Sequence, residues 1–155
     1  MSGPAAADTA VVNCTNSSTD TTAIRNAISG LMASVSNPGT VTVDAGTCSI
    51  TGQISIPSYV TLQGKGAMKV LSGGTPEPNP GGSSDITVLS AYTTSPGTID
   101  PTFVVLAVGS STTSASKVTL KKFTVLGNAS PTLEGYDGIL VEPGGSGVLV
   151  YGECQ

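Results

Sequence analysis

The apolar positions of this chain follow two periods, one after the other. In "STDTTAIRNAISGLMASVSNPGT", Ala23, Ile24, Ala27, Ile28, Leu31, Met32 and Val35 recur at steps of three and four. That spacing predicts one amphipathic helix over 19–36 whose apolar stripe covers a core. Thr19 or Asp20 supplies an N-cap oxygen, and "NPG" at 37–39 stops the helix. From Val41 onward the period falls to two. "VTVDAG", "CSITG", "ISIPS", "YVTLQGKG", "ITVLSA", "FVVLAVG", "KVTLKKFTVLGN", "GILVEPG" and "GVLVYG" read as short strands between tight turns. The linking pairs are Gly-Thr, Pro-Ser, Lys-Lys and Pro-Gly-Gly, not the Asn-Gly or Asp-Gly of two-residue hairpins, so antiparallel hairpins are not favoured. Residues 1–18 are small and polar and read as a flexible leader. Residues 67–102, with "GGTPEPNPGGSSD" and "YTTSPGTIDP", read as an insertion loop in a domain spanning 19–155. Such an insertion serves either a function or interface, or is a plain surface excursion.

A coarser period overlies the strands. "VTLKKFTVLG" and "GVLVYGECQ" begin about 29 residues apart, "GILVEPG" lies between them, and "YVTLQGKG" fits the same template earlier. Repeats of this length are units that cannot bury their apolar face alone and stack on their neighbours. A parallel β-solenoid meets that requirement by placing three short strands of each coil on three sheets. The inward residue of each strand then sits on its counterpart about 4.8 Å away in the next coil.

Composition narrows the setting. At 155 residues the chain is one domain by length and can remove roughly two-thirds of its unfolded surface from water. Charged residues make up 10%, with 20 Gly and 10 Pro, a balance that suits a secreted, extracellular β-protein. The net charge is -4 and the six basic residues form no patch beyond Lys121–Lys122, which argues against a nucleic-acid partner. "FVVLAV", the longest apolar run, is far below the roughly 20 residues of a membrane-spanning helix, so no membrane segment is expected. "MSGPAAADTA" has neither a charged n-region nor an apolar h-region; an exported chain is expected to have lost its signal peptide before this point. Cys14 and Cys48 flank the helix and are either joined across it as a disulfide in an oxidising compartment or are two buried thiols. Cys154 has no evident partner, and with no histidine in the chain neither zinc nor another cofactor is expected.

"TDTTAIRNAISGL", "PGTVTVDAGTCSITGQISIPSYVTLQGKGA", "SKVTLKKFTVLGN" and "YDGILVEPGGSGVLVYGECQ" together carry a family resemblance. They resemble the N-terminal region of right-handed parallel β-helix proteins of the pectate lyase superfamily, which includes pectate-lyase-like, polygalacturonase-type and tailspike proteins. The match runs over Thr21 to Ile28, Gly39 to Ile50 and Pro57 to Gly66, with Cys48 where an aromatic is usual. The resemblance implies an all-β solenoid of about three coils whose N-terminal helix caps the open end, and an extracellular polysaccharide as the partner.

The chemistry of that family needs carboxylates: a base and a charge-neutralising cation for lyases, or two carboxylates about 5–10 Å apart for hydrolases. Neither set is evident. Asp137, in "YDGI", faintly resembles the Asp-Gly-Ile of polygalacturonase-type enzymes, but an Asp-Gly pair is a turn former and the accompanying Asp pair and Gly-His-Gly are missing. Glu142, before Pro143, reads as a solvated strand end, Glu153 is the other acidic residue in strand context late in the chain, and Lys121 and Lys122 read as exposed surface able to meet an acidic glycan. Asn13, Asn16 and Asn128 stand in glycosylation sequons, relevant in a eukaryotic secretory host. The expectation is therefore the capped, non-catalytic N-terminal portion of a polysaccharide-acting or -binding β-helix protein. The alternative is a structural β-helix subunit of a fibre, spike or surface layer that self-associates through an open end.

Overall fold

A computed structural model describes residues 8–67, 86–91, 105–109, 113–126, 139–141 and 149–151. It contains strand β1 (Asp8–Val12), helix α1 (Asp20–Gly30), and strands β2 (Gly39–Val43), β3 (Gly46–Ser49), β4 (Ile54–Ile56) and β5 (Val60–Gln63). Strands β6 (Thr87–Ser90), β7 (Leu106–Val108), β8 (Thr119–Lys121), β9 (Thr124–Leu126), β10 (Ile139–Val141) and β11 (Leu149–Tyr151) follow. The described chain is thus all-β with one helix.

Every strand pair is parallel. The first sheet runs β1-β2-β5-β8-β11, the second β3-β6-β9 and the third β4-β7-β10. From β2 on, each strand pairs with the strand three places later, and successive strands visit the three sheets in a fixed order. This repeat accounts for the absence of hairpin turns: from β2 on, consecutive strands lie in different sheets. "YVTLQGKG", the first half of "KVTLKKFTVLGN" and "GVLVYG" do stack on one sheet, as their common template predicts.

Register carries the core. Val41 lies on Leu62 and Leu62 on Leu120, all three fully buried. Cys48 lies on Leu89 in the second sheet, and Ile54 and Ile56 lie on Leu106 and Val108 in the third. The alternation of a strand sends every second side chain inward, so the inward rows merge into one cluster that α1 joins through Ile24 and Ile28, and the residue after it through Leu31. Each such Leu or Ile contributes about 1.5–3 kcal/mol by leaving water.

Between sheets the chain turns at residues with left-handed backbone. Tyr59 (φ 66°) and Lys117 (φ 55°) occupy the same corner of successive coils, each two residues before the Thr61–Thr119 pair. At the next corner Lys122 (φ 61°) cuts "KVTLKKFTVLGN" into two strands on two different sheets. A left-handed conformation costs an L-residue roughly 1–2 kcal/mol, so these corners are conformations imposed by the stack. Beside Lys122 sits Gly64, whose N–H donates to the Lys121 carbonyl (3.0 Å). A Cβ there would lie 2.3 Å from the Lys122 carbonyl oxygen and 2.6 Å from Thr87 Cβ.

Three sequence expectations are corrected. Within the flexible leader expected at 1–18, Asp8–Val12 form β1: Val12 is buried and the Asp44 N–H donates to the Val12 carbonyl (2.9 Å), so this segment has a sheet to join. The strand expected at "ITVLSA" is β6, and it belongs to the stack although it falls within the insertion loop expected at 67–102: its Thr87, Val88 and Leu89 are buried against β3 and β9. The helix expected over 19–36 ends at Gly30; Met32 turns left-handed (φ 47°), leaving it 84% and Val35 70% exposed. Leu31 still packs inward, because Gly39 has no Cβ to meet its side chain.

Gly64→Ala is expected to lower unfolding stability by about 1–3 kcal/mol, since the added carbon meets backbone that cannot move aside. Chemical denaturation of the variant beside the parent checks it.

Candidate functional site

The densest polar construction among the described residues lies where α1 meets the edge of β3. Among the described residues no strand precedes β3 in its sheet. Along this edge the backbone of Ile50 faces β6, its N–H donating to the Ser90 carbonyl (2.8 Å), while residues 49, 51 and 53 face the helix. The Ser49 N–H donates to Asp20 Oδ2 (2.9 Å) and the Thr51 N–H to Thr21 Oγ1 (2.8 Å). Thr21 Oγ1 also approaches the Ser49 carbonyl (3.3 Å), and Arg25 Nε and Nη2 both donate to the Gln53 carbonyl. Three side chains of one helix thus take up the outward-facing backbone groups of Ser49, the last residue of β3, and of residues 51 and 53 in the segment after it. Gly52 leaves room for the Arg25 guanidinium to reach across.

Asp20 is the centre of this construction and is 2% exposed. Its Oδ1 accepts from the Thr15 N–H (3.0 Å) and the Thr15 hydroxyl (3.3 Å), and its Oδ2 accepts from the Ser17 N–H (3.0 Å) as well as from Ser49. Burial alone would push its carboxyl up. The hydrogen bonds from Thr15, Ser49 and Ser17 outweigh that and hold it below the ordinary carboxylate value. The side chain is therefore not the simple N-cap expected from sequence: the N-cap position is Thr19, which makes no side-chain capping bond, and the Asp20 carboxylate joins the pre-helix segment to β3 instead. Beside it, Cys14 and Cys48 form a disulfide with a sequence separation of 34. A loop of that size stabilises the fold by roughly 3–4 kcal/mol in the chain-entropy account, and the bond fits an oxidising compartment.

A second polar feature is the outer face of the first sheet. Thr9, Thr40, Thr61 and Thr119 share one register row, and Val11, Thr42, Gln63 and Lys121 the next. Gln63 Nε2 donates to Thr42 Oγ1 (2.9 Å). At the adjoining corner Lys65 Nζ lies 3.2 Å from Asp44 Oδ1, with both side chains well exposed, a pair that contributes at most about 1 kcal/mol. The corner is held from inside by Thr87, whose fully buried hydroxyl donates to the Val43 or Asp44 carbonyl (both 3.1 Å) and accepts from the Lys65 N–H (2.9 Å).

Of the residues singled out in the sequence, Cys14 and Cys48 are brought together, and Asn13 and Asn16 are exposed on the segment before α1. Lys121 is half-buried on the outer row and Lys122 is exposed at the corner. Asp137, Glu142, Glu153, Asn128 and Cys154 lie outside the described residues. Thr21, Arg25 and Thr87 escaped sequence reasoning. For the first two the available signal was their place on the polar flank of a helix whose apolar stripe had already been identified; Thr87 carried none. Among the described residues no three His, Cys, Asp or Glu side chains gather as a metal-binding group, and no helix is long and apolar enough to cross a membrane. The hydroxyl, amide and ammonium groups of the outer face can donate and accept hydrogen bonds, while both oxygens of Asp20 are already committed. Comparison with protein-family models, curated proteins and solved structures finds no match.

Removing the Asp20 acceptor leaves buried N–H groups without partners. Asp20→Ala is expected to cost about 3 kcal/mol or more by denaturant titration. Because the folded carboxyl is held below the ordinary value of 3.8, its contribution is complete above that value and is lost as pH falls through the lower, folded one. The parent should therefore lose its stability advantage over Asp20→Asn as pH drops below about 4, as read from paired pH–stability curves.

Proposed function

We propose that the chain is the capped N-terminal portion of a right-handed parallel β-helix of pectate-lyase-superfamily type. In this reading it is secreted, and it belongs to a protein that binds or acts on an extracellular polysaccharide. The described segment supplies scaffold and cap, with no catalysis of its own. The observation that carries the reading is the pairing of each strand with the one three places on, through three parallel sheets, next to a helix that closes the free edge. The disulfide agrees with export. The outer rows Thr40-Thr61-Thr119 and Thr42-Gln63-Lys121 supply hydroxyl, amide and ammonium groups of the kind that bind sugar hydroxyls and uronate carboxylates.

A structural subunit is the second reading. It is favoured by the order of the three sheets, which end on β11, β9 and β10 among the described residues, strands of the kind that invite end-to-end pairing. In that case the chain self-associates and has no sugar ligand.

Incubation with a panel of immobilised and soluble polysaccharides, polyuronates included, tests both. Retention on at least one, with polymer length unchanged and no new unsaturated ends, is the expected result. No retention on any, together with concentration-dependent growth in mass by light scattering, would replace the first reading with the second. Shortened polymer would overturn the non-catalytic assignment.

A further inference from the structure

Two ties of different chemistry join the same two segments, one residue apart. The Cys14–Cys48 disulfide links the chain before α1 to β3. The next residue of each segment, Thr15 and Ser49, donates its N–H to the same Asp20 carboxylate (3.0 and 2.9 Å). Asp20 is nearly fully buried, Cys48 is fully buried and Cys14 packs against the core, so neither tie is a loose surface contact. Whichever tie remains keeps the partners of the other within reach, which makes the broken one an intramolecular event that re-forms readily. Both guard one thing. If the cap leaves, the backbone groups of Ser49 at the end of β3 and of Thr51 and Gln53 just after it lose their side-chain partners from α1, and that edge is bare.

We propose that the cap is a doubly latched closure over the edge of β3: loss of either the disulfide or the Asp20 carboxylate leaves it shut, and loss of both opens it. Before the disulfide forms, the carboxylate already holds residues 14 and 48 side by side, so the cap is shut in the reduced chain and the thiols are positioned for oxidation. In that step an external disulfide such as oxidised glutathione accepts two electrons and two protons from the two thiols. It leaves as two glutathione thiols, and the Cys14–Cys48 bond forms.

The Thr51 amide is the reporter, because it is held by Thr21, which neither change touches. Hydrogen exchange is measured at neutral pH on the parent and on Asp20→Asn, each oxidised and each reduced with dithiothreitol. Protection at Thr51 and in α1 is expected to fall less than about tenfold for either single change and about a hundredfold or more for reduced Asp20→Asn. The amides of β5, within the first sheet, should keep their protection. Refolded from the reduced state with oxidised glutathione, Asp20→Asn should close the disulfide more slowly than the parent. Full loss of Thr51 protection in the reduced parent would overturn the proposal. So would retained protection in reduced Asp20→Asn, or equal loss in β5, which would mean that the whole fold unravels and no latch exists.

Discussion

A parallel sheet cannot end without leaving a row of backbone donors and acceptors unmatched, and the arrangement of this chain follows from how its first row is met. In the first sheet the problem is moved one strand outward, from β2 to β1. In the second it is met by side chains: Asp20 descends from the helix onto Ser49 at the end of β3, and Thr21 and Arg25 onto residues 51 and 53 of the segment that follows. A helix rises 1.5 Å per residue and a strand about 3.3 Å. Asp20 and Arg25 therefore lie closer together along the helix than residues 49 and 53 do along the chain, and the long Arg25 side chain spans the difference, while the opposite flank packs Ile24 and Ile28 into the core.

With that end fixed, the remainder is a repetition. Leu62 rests on Val41 and Leu120 on Leu62. A slip of one residue would turn each inward row out to solvent, so the apolar alternation fixes register and the left-handed corners at Tyr59, Lys117 and Lys122 take up the turn between sheets. The corners also explain where small residues sit. Gly64 has no side chain because the Lys122 carbonyl and Thr87 occupy that space.

Much of this was legible before any coordinates. Period-two alternation located most of the strands, the absence of Asn-Gly turns pointed to parallel pairing, and the common template of "YVTLQGKG" and "KVTLKKFTVLG" located strands of one sheet. What failed did so where a local signal was overruled by a partner far along the chain. Asp8–Val12 is polar on one flank and looks like a tail, yet Val12 finds Val43 in the sheet. "ITVLSA" reads as a strand and is one, β6, but the prolines and glycines around it hide that it belongs to the stack, where β3 supplies its neighbour. Met32 and Val35 keep helical spacing in sequence, but the chain must leave the helix at Gly30 to bring Gly39 under Leu31. The polar site was harder still, because a carboxylate at a helix start is ordinarily a cap, and only the fold reveals that Ser49 lies against it.

The stacking has a consequence for how such a chain can vary. Thr42 and Gln63, hydrogen-bonded between neighbouring coils, are 21 residues apart, whereas Ser58 and Ser116, hydrogen-bonded across the next step, are 58 apart. The two intervals differ nearly threefold, yet Val41, Leu62 and Leu120 still meet in line. The entropic penalty of the longer excursion grows only with the logarithm of its length, about 1 kcal/mol for this difference. The stack thus counts corners and inward residues, not chain length, so segments of almost any size and chemistry can be inserted between strands without being felt by the core.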